Sequence, residues 1–197
     1  MASDLFVSRG GDKLQAAIGN WKLDLGNLVV LDVGSSTGGF VDCLLQNGAG
    51  KVYALDTSYG ELAWKLRNDP RVVVMERTNI LWIPDQDPTG RRVVRDDIGK
   101  VDIVTIDAGW TKLELVLPIV KKFLKPNGKI IALLKPHYET EKRNLVKGVV
   151  PSELVEQIKN QVLQNIQVLG FKVEKIVDSP ILGGAGNQEY LLLIATS

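Results

Sequence analysis

Short apolar runs alternate with longer amphipathic segments along the chain. Leu28 to Val33 is an apolar run ending in Asp32-Val33-Gly34, and Gly39 to Gln46 then carries helical spacing before Asn47-Gly48. Lys51 to Leu55 is a second strand, closed by Asp56. Glu61 to Arg67 reads as a helix that Asp69-Pro70 stops. Val72 to Met75 and Val101 to Ile106 are a third and a fourth strand, the latter followed by Asp107. Leu113 to Phe123 is helical, Pro126-Asn127-Gly128 is a turn, and Lys129 to Leu134 is a fifth strand running into Lys135-Pro136. Pro151 to Leu169 has helical periodicity, with proline at its start where the missing N–H costs nothing. Phe171 to Val177 and Tyr190 to Ala195 close the chain as two further strands.

Strand–helix alternation of this kind predicts an α/β fold, a seven-stranded and mostly parallel sheet with helices on both faces. The last two strands are joined by Asp178 to Glu189, which carries three glycines and a proline but no helical pattern. Without a crossover helix, the last strand is expected to be antiparallel. Two stretches break the rhythm. Residues 80–100 hold Pro84, Pro88, Gly90 and Gly99 among many charges and read as a long loop. Residues 138–150 are polar and read as a mobile loop after the fifth strand. Nothing in the chain is rich enough in Gly, Ser or Pro to divide it, and 197 residues fit one domain.

Composition sharpens this only in places. With 45% hydrophobic and 24% charged residues the chain is an ordinary globular one. Cys43 and His137 are its lone cysteine and histidine, so neither an internal disulfide nor a four-ligand Cys/His zinc set can be assembled. A reducing, cytoplasmic setting fits. No apolar run approaches the ~18 residues of a membrane span, and the N-terminus lacks the layout of a signal peptide. The formal charge of +1 hides an uneven distribution. Residues 91–147 carry 13 Lys and Arg against 7 Asp and Glu, a net of +6; the remainder carries 11 against 16, a net of −5. A nucleic-acid partner is therefore open despite the near-neutral total.

The loop Asp32-Val33-Gly34-Ser35-Ser36-Thr37-Gly38-Gly39-Phe40 lies at the carboxyl end of the first strand, where parallel α/β sheets hold ligands. A phosphate loop needs lysine after Gly39, and Phe40 stands there; a dinucleotide fingerprint needs glycine at Ser36. An acidic residue two before the first glycine, then Gly38-Gly39, is instead the arrangement that binds S-adenosylmethionine. That ligand has no pyrophosphate and carries a cationic sulfonium, which suits Asp32. Asp56, ending the second strand, is the expected ribose partner because a carboxylate accepts hydrogen bonds from both hydroxyls. Glu76 and Asn79 follow the third strand, where adenine is commonly contacted.

The other strand ends form a set. Asp107 ends the fourth strand, Lys135 the fifth, and Glu189 begins the last. Lys13 lies upstream in Ser8-Arg9-Gly10-Gly11-Asp12-Lys13-Leu14, on a helix able to lie along the same rim. This set resembles the lysine–aspartate–lysine–glutamate tetrad of the FtsJ-like ribose 2′-O-methyltransferases, and most closely their hemolysin A (TlyA-like) rRNA methyltransferase branch. Beside the glycine loop, the phrases Glu76-Arg77-Thr78-Asn79, Leu134-Lys135-Pro136-His137-Tyr138-Glu139 and Gly186-Asn187-Gln188-Glu189-Tyr190 carry the resemblance, which runs from about residue 7 to residue 194.

The resemblance implies a Rossmann-like S-adenosylmethionine-dependent methyltransferase fold and methyl transfer to a ribose 2′-hydroxyl of ribosomal RNA. It assigns catalysis to Lys13, Asp107, Lys135 and Glu189, and adds Asp107 to the cofactor's contacts. Lys135 would take the hydroxyl's proton or steer the hydroxyl. The family's Asp, any residue, Ser, Phe stands here as Asp107-Ala108-Gly109-Trp110, so Trp110 is a candidate for stacking on a base. Relatives carry a small RNA-binding domain first. Residues 1–197 are expected to be a single FtsJ-like methyltransferase domain without it, either as a fragment of a longer protein or as a short variant. In a short variant RNA would be gripped by the basic segment, through Arg91, Arg92, Arg95, Lys121, Lys122, Lys125, Lys142, Arg143 and Lys147. Two rivals stand beside this reading: an inactive cofactor- and RNA-binding relative acting in ribosome assembly, and a membrane-lysing hemolysin. The sequence carries no signal for oligomeric state.

Overall fold

Period-two alternation along each strand sends apolar side chains to both faces of a sheet, which fixes the layering. The computed structural model describes residues 5–83 and 98–196. The strands are β1 (Val29–Val33), β2 (Lys51–Leu55), β3 (Val72–Met75), β4 (Val101–Ile106), β5 (Leu124–Leu134), β6 (Phe171–Asp178) and β7 (Tyr190–Thr196). They form one sheet in the order β3-β2-β1-β4-β5-β7-β6. β7 runs antiparallel to both its neighbours; the other pairs are parallel. The fold class, the strand count and the antiparallel last strand are as the sequence pattern predicts.

The described helices are α1 (Gly10–Trp21), α2 (Gly39–Gln46), α3 (Trp64–Arg67), α4 (Leu113–Val120), α5 (Pro136–Glu139) and α6 (Ser152–Val168). On one face, Leu31, Val104, Ile130, Leu192 and Ile194 pack against Val116, Leu117 and Val120 of α4 and Val162 and Ile166 of α6. On the other, Val30, Ile103, Ile131, Leu133 and Leu193 pack against Leu14, Ala17 and Ile18 of α1 and Val41 and Leu44 of α2. Neighbouring residues of one strand belong to opposite cores.

The departures from the sequence pattern are local. β5 begins at Leu124, and the Pro126-Asn127-Gly128 turn sits inside it as a bulge: Leu124 pairs with Val101, but Lys129 pairs with Ile103. Asn127 takes a positive φ of 65°, which asparagine tolerates. The helix expected from Glu61 is confined to α3, the last four residues before Asn68. Most of the irregular stretch 80–100 lies outside the described residues; Ile80–Trp82 forms a 3₁₀ turn capped by the Asn79 side chain, which accepts from Leu81 N at 2.9 Å. Residues 138–150, expected to be a mobile loop, carry local structure and hydrogen bonds of their own. Lys142–Asn144 forms a 3₁₀ turn, and Val146 and Val149 exchange backbone hydrogen bonds. Asn187, almost fully buried, accepts from Val150 N and donates to Gly148 O.

Candidate active site

The strand order sets the site. Along one rim of the sheet it places, in sequence, the residues that end β2, β1, β4 and β5: Asp56, Gly34, Asp107 and Lys135. β7 enters from that rim, and its register pairs Tyr190 with Leu134. Glu189 therefore stands across from Lys135. The chain order reverses between β1 and β4, where open α/β sheets form their ligand crevice.

Glycines are required where this rim is tight. A Cβ on Gly34 would stand 2.6 Å from the Asp107 carbonyl oxygen, and its φ of +86° favours glycine as well. Gly39, at the start of α2, faces the start of α1. A Cβ there would run into Ser8 Oγ and stand 2.9 Å from Gly11 N. The two glycine motifs of the sequence thus serve one close helix–helix contact, and that contact aims Lys13 at the rim. Asp42 of α2 adds a second tie by accepting from Val7 N at 2.9 Å. A Gly39→Ala protein is expected to lose about 1–3 kcal/mol of stability through overpacking. Its midpoint in a urea titration should fall with an unchanged slope; an unaltered midpoint would contradict the crowding.

Two lysine–carboxylate pairs face each other over the rim. Lys13 Nζ lies 2.5 Å from Glu189 Oε2, with both side chains buried. Lys135 Nζ lies 2.6 Å from Asp107 Oδ1, both half-buried. A cavity of about 510 Å³ opens beside Lys135, walled by Gly34, Ser36, Asp56, Glu61, Asn79 and the 107–111 loop. A smaller one of about 240 Å³ lies beside Lys13, walled by Ser8, Arg9, Ser35, Thr37, Gly39 and Phe40. Gly34, Ser36 and Asp107 border both. A third, more apolar hollow of about 600 Å³ lies beyond Trp110, His137 and Tyr138.

Asp56 is locked by its neighbours. Its Oδ2 accepts from Ser36 N at 2.7 Å, and its Oδ1 from Ser58 N at 2.8 Å and Ser58 Oγ at 2.7 Å. Oδ2, with a single donor, has room for one more. Trp110 is 83% exposed and its ring centroid lies 5.1 Å from that of Tyr138. Burial holds His137 below the usual imidazole range, Glu189 opposes that, and Lys135 and Lys13 reinforce it. The Cys43 thiol is buried in α2, and burial pushes it up to about 12, so it is no nucleophile at neutral pH.

This chain belongs to the FtsJ-like methyltransferase family. The family's pattern matches residues 6–195. The chain is 40% identical over 189 residues to YqxC of Bacillus subtilis, named as a candidate rRNA methyltransferase, covering 95% of this chain and 64% of that one. It is 37% identical over 194 residues to the 16S/23S rRNA (cytidine-2′-O)-methyltransferase TlyA of Mycobacterium tuberculosis, covering 97% of this chain and 69% of that one. Among solved structures, a candidate hemolysin from Lactococcus lactis superposes with a TM-score of 0.88 at 40% identity, covering 99% of this chain and 90% of that one. This chain thus spans just under two thirds of the B. subtilis relative.

S-adenosylmethionine is the cofactor that family membership implies, and the residues fit it. Asp56 offers a carboxylate oxygen at a cavity wall, the Gly34 loop admits close backbone approach, and Asn79 lines the far end. Other residues named from the sequence lie away from the two cavities. Asp32 is fully buried and borders neither cavity. It sits beneath the loop, and its Oδ1 accepts from Thr105 Oγ1 at 2.5 Å, its register partner on β4. Glu76 also lies off the cavity, taken up by Arg67 and by Gly60 N. Gly38 packs against Leu62 and Leu66 rather than facing the cavity. The sequence reading missed Glu61, Ser8 and Arg9, whose only signal was their place beside the glycine motifs.

The basic segment does not form one surface. Arg91, Arg92 and Arg95 lie outside the described residues. Lys121, Lys122 and Lys125 cluster at the opposite end of β5 from the rim, where Lys125 pairs with Asp102 at 2.8 Å. Lys142, Arg143 and Lys147 follow α5 on the rim side, and Lys142 borders the apolar hollow.

Proposed function

We propose that the protein transfers the methyl group of S-adenosylmethionine to a ribose 2′-hydroxyl of ribosomal RNA, in the cytoplasm, with the described residues forming one methyltransferase domain. The observation that carries this reading is the meeting of two lysine–carboxylate pairs where the two cavities share a wall. When bound, S-adenosylmethionine supplies an electrophilic methyl group on a cationic sulfonium. A ribose hydroxyl is a poor nucleophile, and Lys135 takes its proton or fixes its lone pair toward the methyl group. Asp107 holds the Lys135 side chain in place, and Glu189 does the same for Lys13. Asp56 orients the cofactor ribose. Trp110, propped by Tyr138, offers an exposed ring on which a base stacks, an interaction of about 1–3 kcal/mol per base. Lys142, Arg143 and Lys147 meet the phosphates on that side.

The test uses cofactor labelled in its methyl group with ribosomal subunits and naked ribosomal RNA. A methyl on the 2′-oxygen blocks attack on the adjacent phosphodiester, so label is expected in dinucleotides that survive alkali. Label released as a methylated base would overturn the ribose assignment. Cofactor binding without any label in either subunit would favour the inactive relative.

A further inference from the structure

The chain leaves β4 through Asp107 and reaches α4 at Leu113; it leaves β5 through Lys135 and passes at once into α5. Two ties join these exits. One is the Lys135–Asp107 pair at 2.6 Å. The other lies at the far end of both segments, where Glu139 Oε1 accepts from the Leu113 backbone N–H at 2.9 Å. Together they close a ring around residues 107–113 and 135–139.

The second tie has a specific local reason. Leu113 is the first residue of α4, and the preceding Lys112 gives that helix no side-chain cap. The first N–H groups of a helix have no partner of their own. Glu139 supplies one from a different segment, and a carboxylate there also suits the positive end of the helix dipole. Within the ring sits Trp110 in a left-handed conformation, φ 63°, a strained state for so bulky a residue that the surroundings must hold. Trp110 borders both the 510 Å³ cavity and the apolar hollow, so the 107–111 loop is the partition between them.

We propose that Glu139 is a positioning residue, which clasps the start of α4 and thereby fixes the loop that separates the cofactor cavity from the apolar hollow. Its action on methyl transfer rests on the function proposed above; the clasp does not. Burial pushes the Glu139 carboxyl up to about 7, the Leu113 N–H and Lys112 oppose this, and Glu114 reinforces it. A carboxyl raised by burial favours the closed form when it is protonated, so the clasp holds below about pH 7 and loosens as pH rises through it.

Amide hydrogen exchange across residues 108–116 tests this on the full chain without RNA, read as protection factors so that the chemical pH dependence divides out. Removing the clasp in Glu139→Ala should lower protection about 2- to 30-fold, the span of a lost helix cap. Glu139→Gln keeps an acceptor oxygen without the charge; at pH 8 it should match the wild type at pH 6 and change little with pH. The ratio of methyl-transfer rates, Glu139→Gln over wild type, should likewise rise as pH goes from 6 to 8. Wild-type protection in Glu139→Ala at pH 6 would overturn the clasp, as would a Glu139→Gln protein whose protection falls toward alkali like the wild type's. A wild type that exchanges as expected but methylates no RNA would remove the proposed function and leave the clasp standing.

Discussion

Lys135→Ala is expected to lower the rate of methyl transfer by about 10²–10⁴-fold, the usual contribution of a positioned proton acceptor, while still binding S-adenosylmethionine. Binding survives because the proposed ribose partner Asp56 and the Gly34 loop stand on other strands. The substitution also removes a cation beside a cavity meant for a cationic ligand, and leaves Asp107 without its 2.6 Å partner. Affinity should therefore hold or tighten. Lys135→Arg separates the two roles left open for this side chain. A guanidinium keeps the charge and can steer a hydroxyl through hydrogen bonds, but it does not deprotonate in proteins. Loss of rate in both variants supports proton abstraction by Lys135; an Arg protein with near-wild-type rate would reassign it to orientation. The measurement is single-turnover transfer of labelled methyl with cofactor in excess, alongside a titration of cofactor binding.

How far the sequence reveals this site depends on what kind of signal each residue leaves. Asp107, Lys135 and Glu189 are legible because each directly borders an apolar run, so naming the strand also names the rim residue. Lys13 is legible only through its glycine-flanked phrase; the reason, Gly39 packed on Gly11, is a contact between distant segments. The place of Asp32 is not legible, because periodicity cannot tell a polar residue facing a ligand from one facing a neighbouring strand, and here Thr105 on β4 bonds to it. The same holds for Glu76, which pairs with Arg67 on the next helix back. The basic segment fails for a geometric reason: β5 carries the chain from one end of the sheet to the other, so nearby lysines end up on opposite rims. Glu139 and Asn187 leave no composition signal at all. Their work is to satisfy the backbone of segments remote in sequence, which only the fold defines.

Asp32→Asn is expected to stabilise the unliganded protein at pH 8 and destabilise it at pH 4. Burial pushes the Asp32 carboxyl up to about 7 from an ordinary 3.8; the Thr105 hydroxyl opposes the rise, and Asp107 and Asp56 add to it. A carboxyl raised on folding contributes its full stability below the unfolded value, near pH 4, and loses it as pH rises through about 7. Some three pH units at 1.36 kcal/mol each give a cost of roughly 4 kcal/mol for holding Asp32 ionised at pH 8. Asparagine avoids that cost, and its carbonyl still accepts from Thr105. Its amide, however, takes the place of Oδ2, a buried atom with no partner among the described residues, and an unsatisfied buried donor costs about 1–3 kcal/mol. The net is a gain of about 1–3 kcal/mol at pH 8 and a loss of similar size at pH 4, with the curves crossing between. Urea midpoints of both proteins from pH 4 to pH 8 check this, and the difference between them cancels the parallel titration of Glu139. Curves that stay parallel over the range would mean that Asp32 is already ionised when folded. The chain carries this cost beneath a loop that receives a cationic cofactor, so the variant should also bind S-adenosylmethionine less tightly relative to its neutral product, S-adenosylhomocysteine.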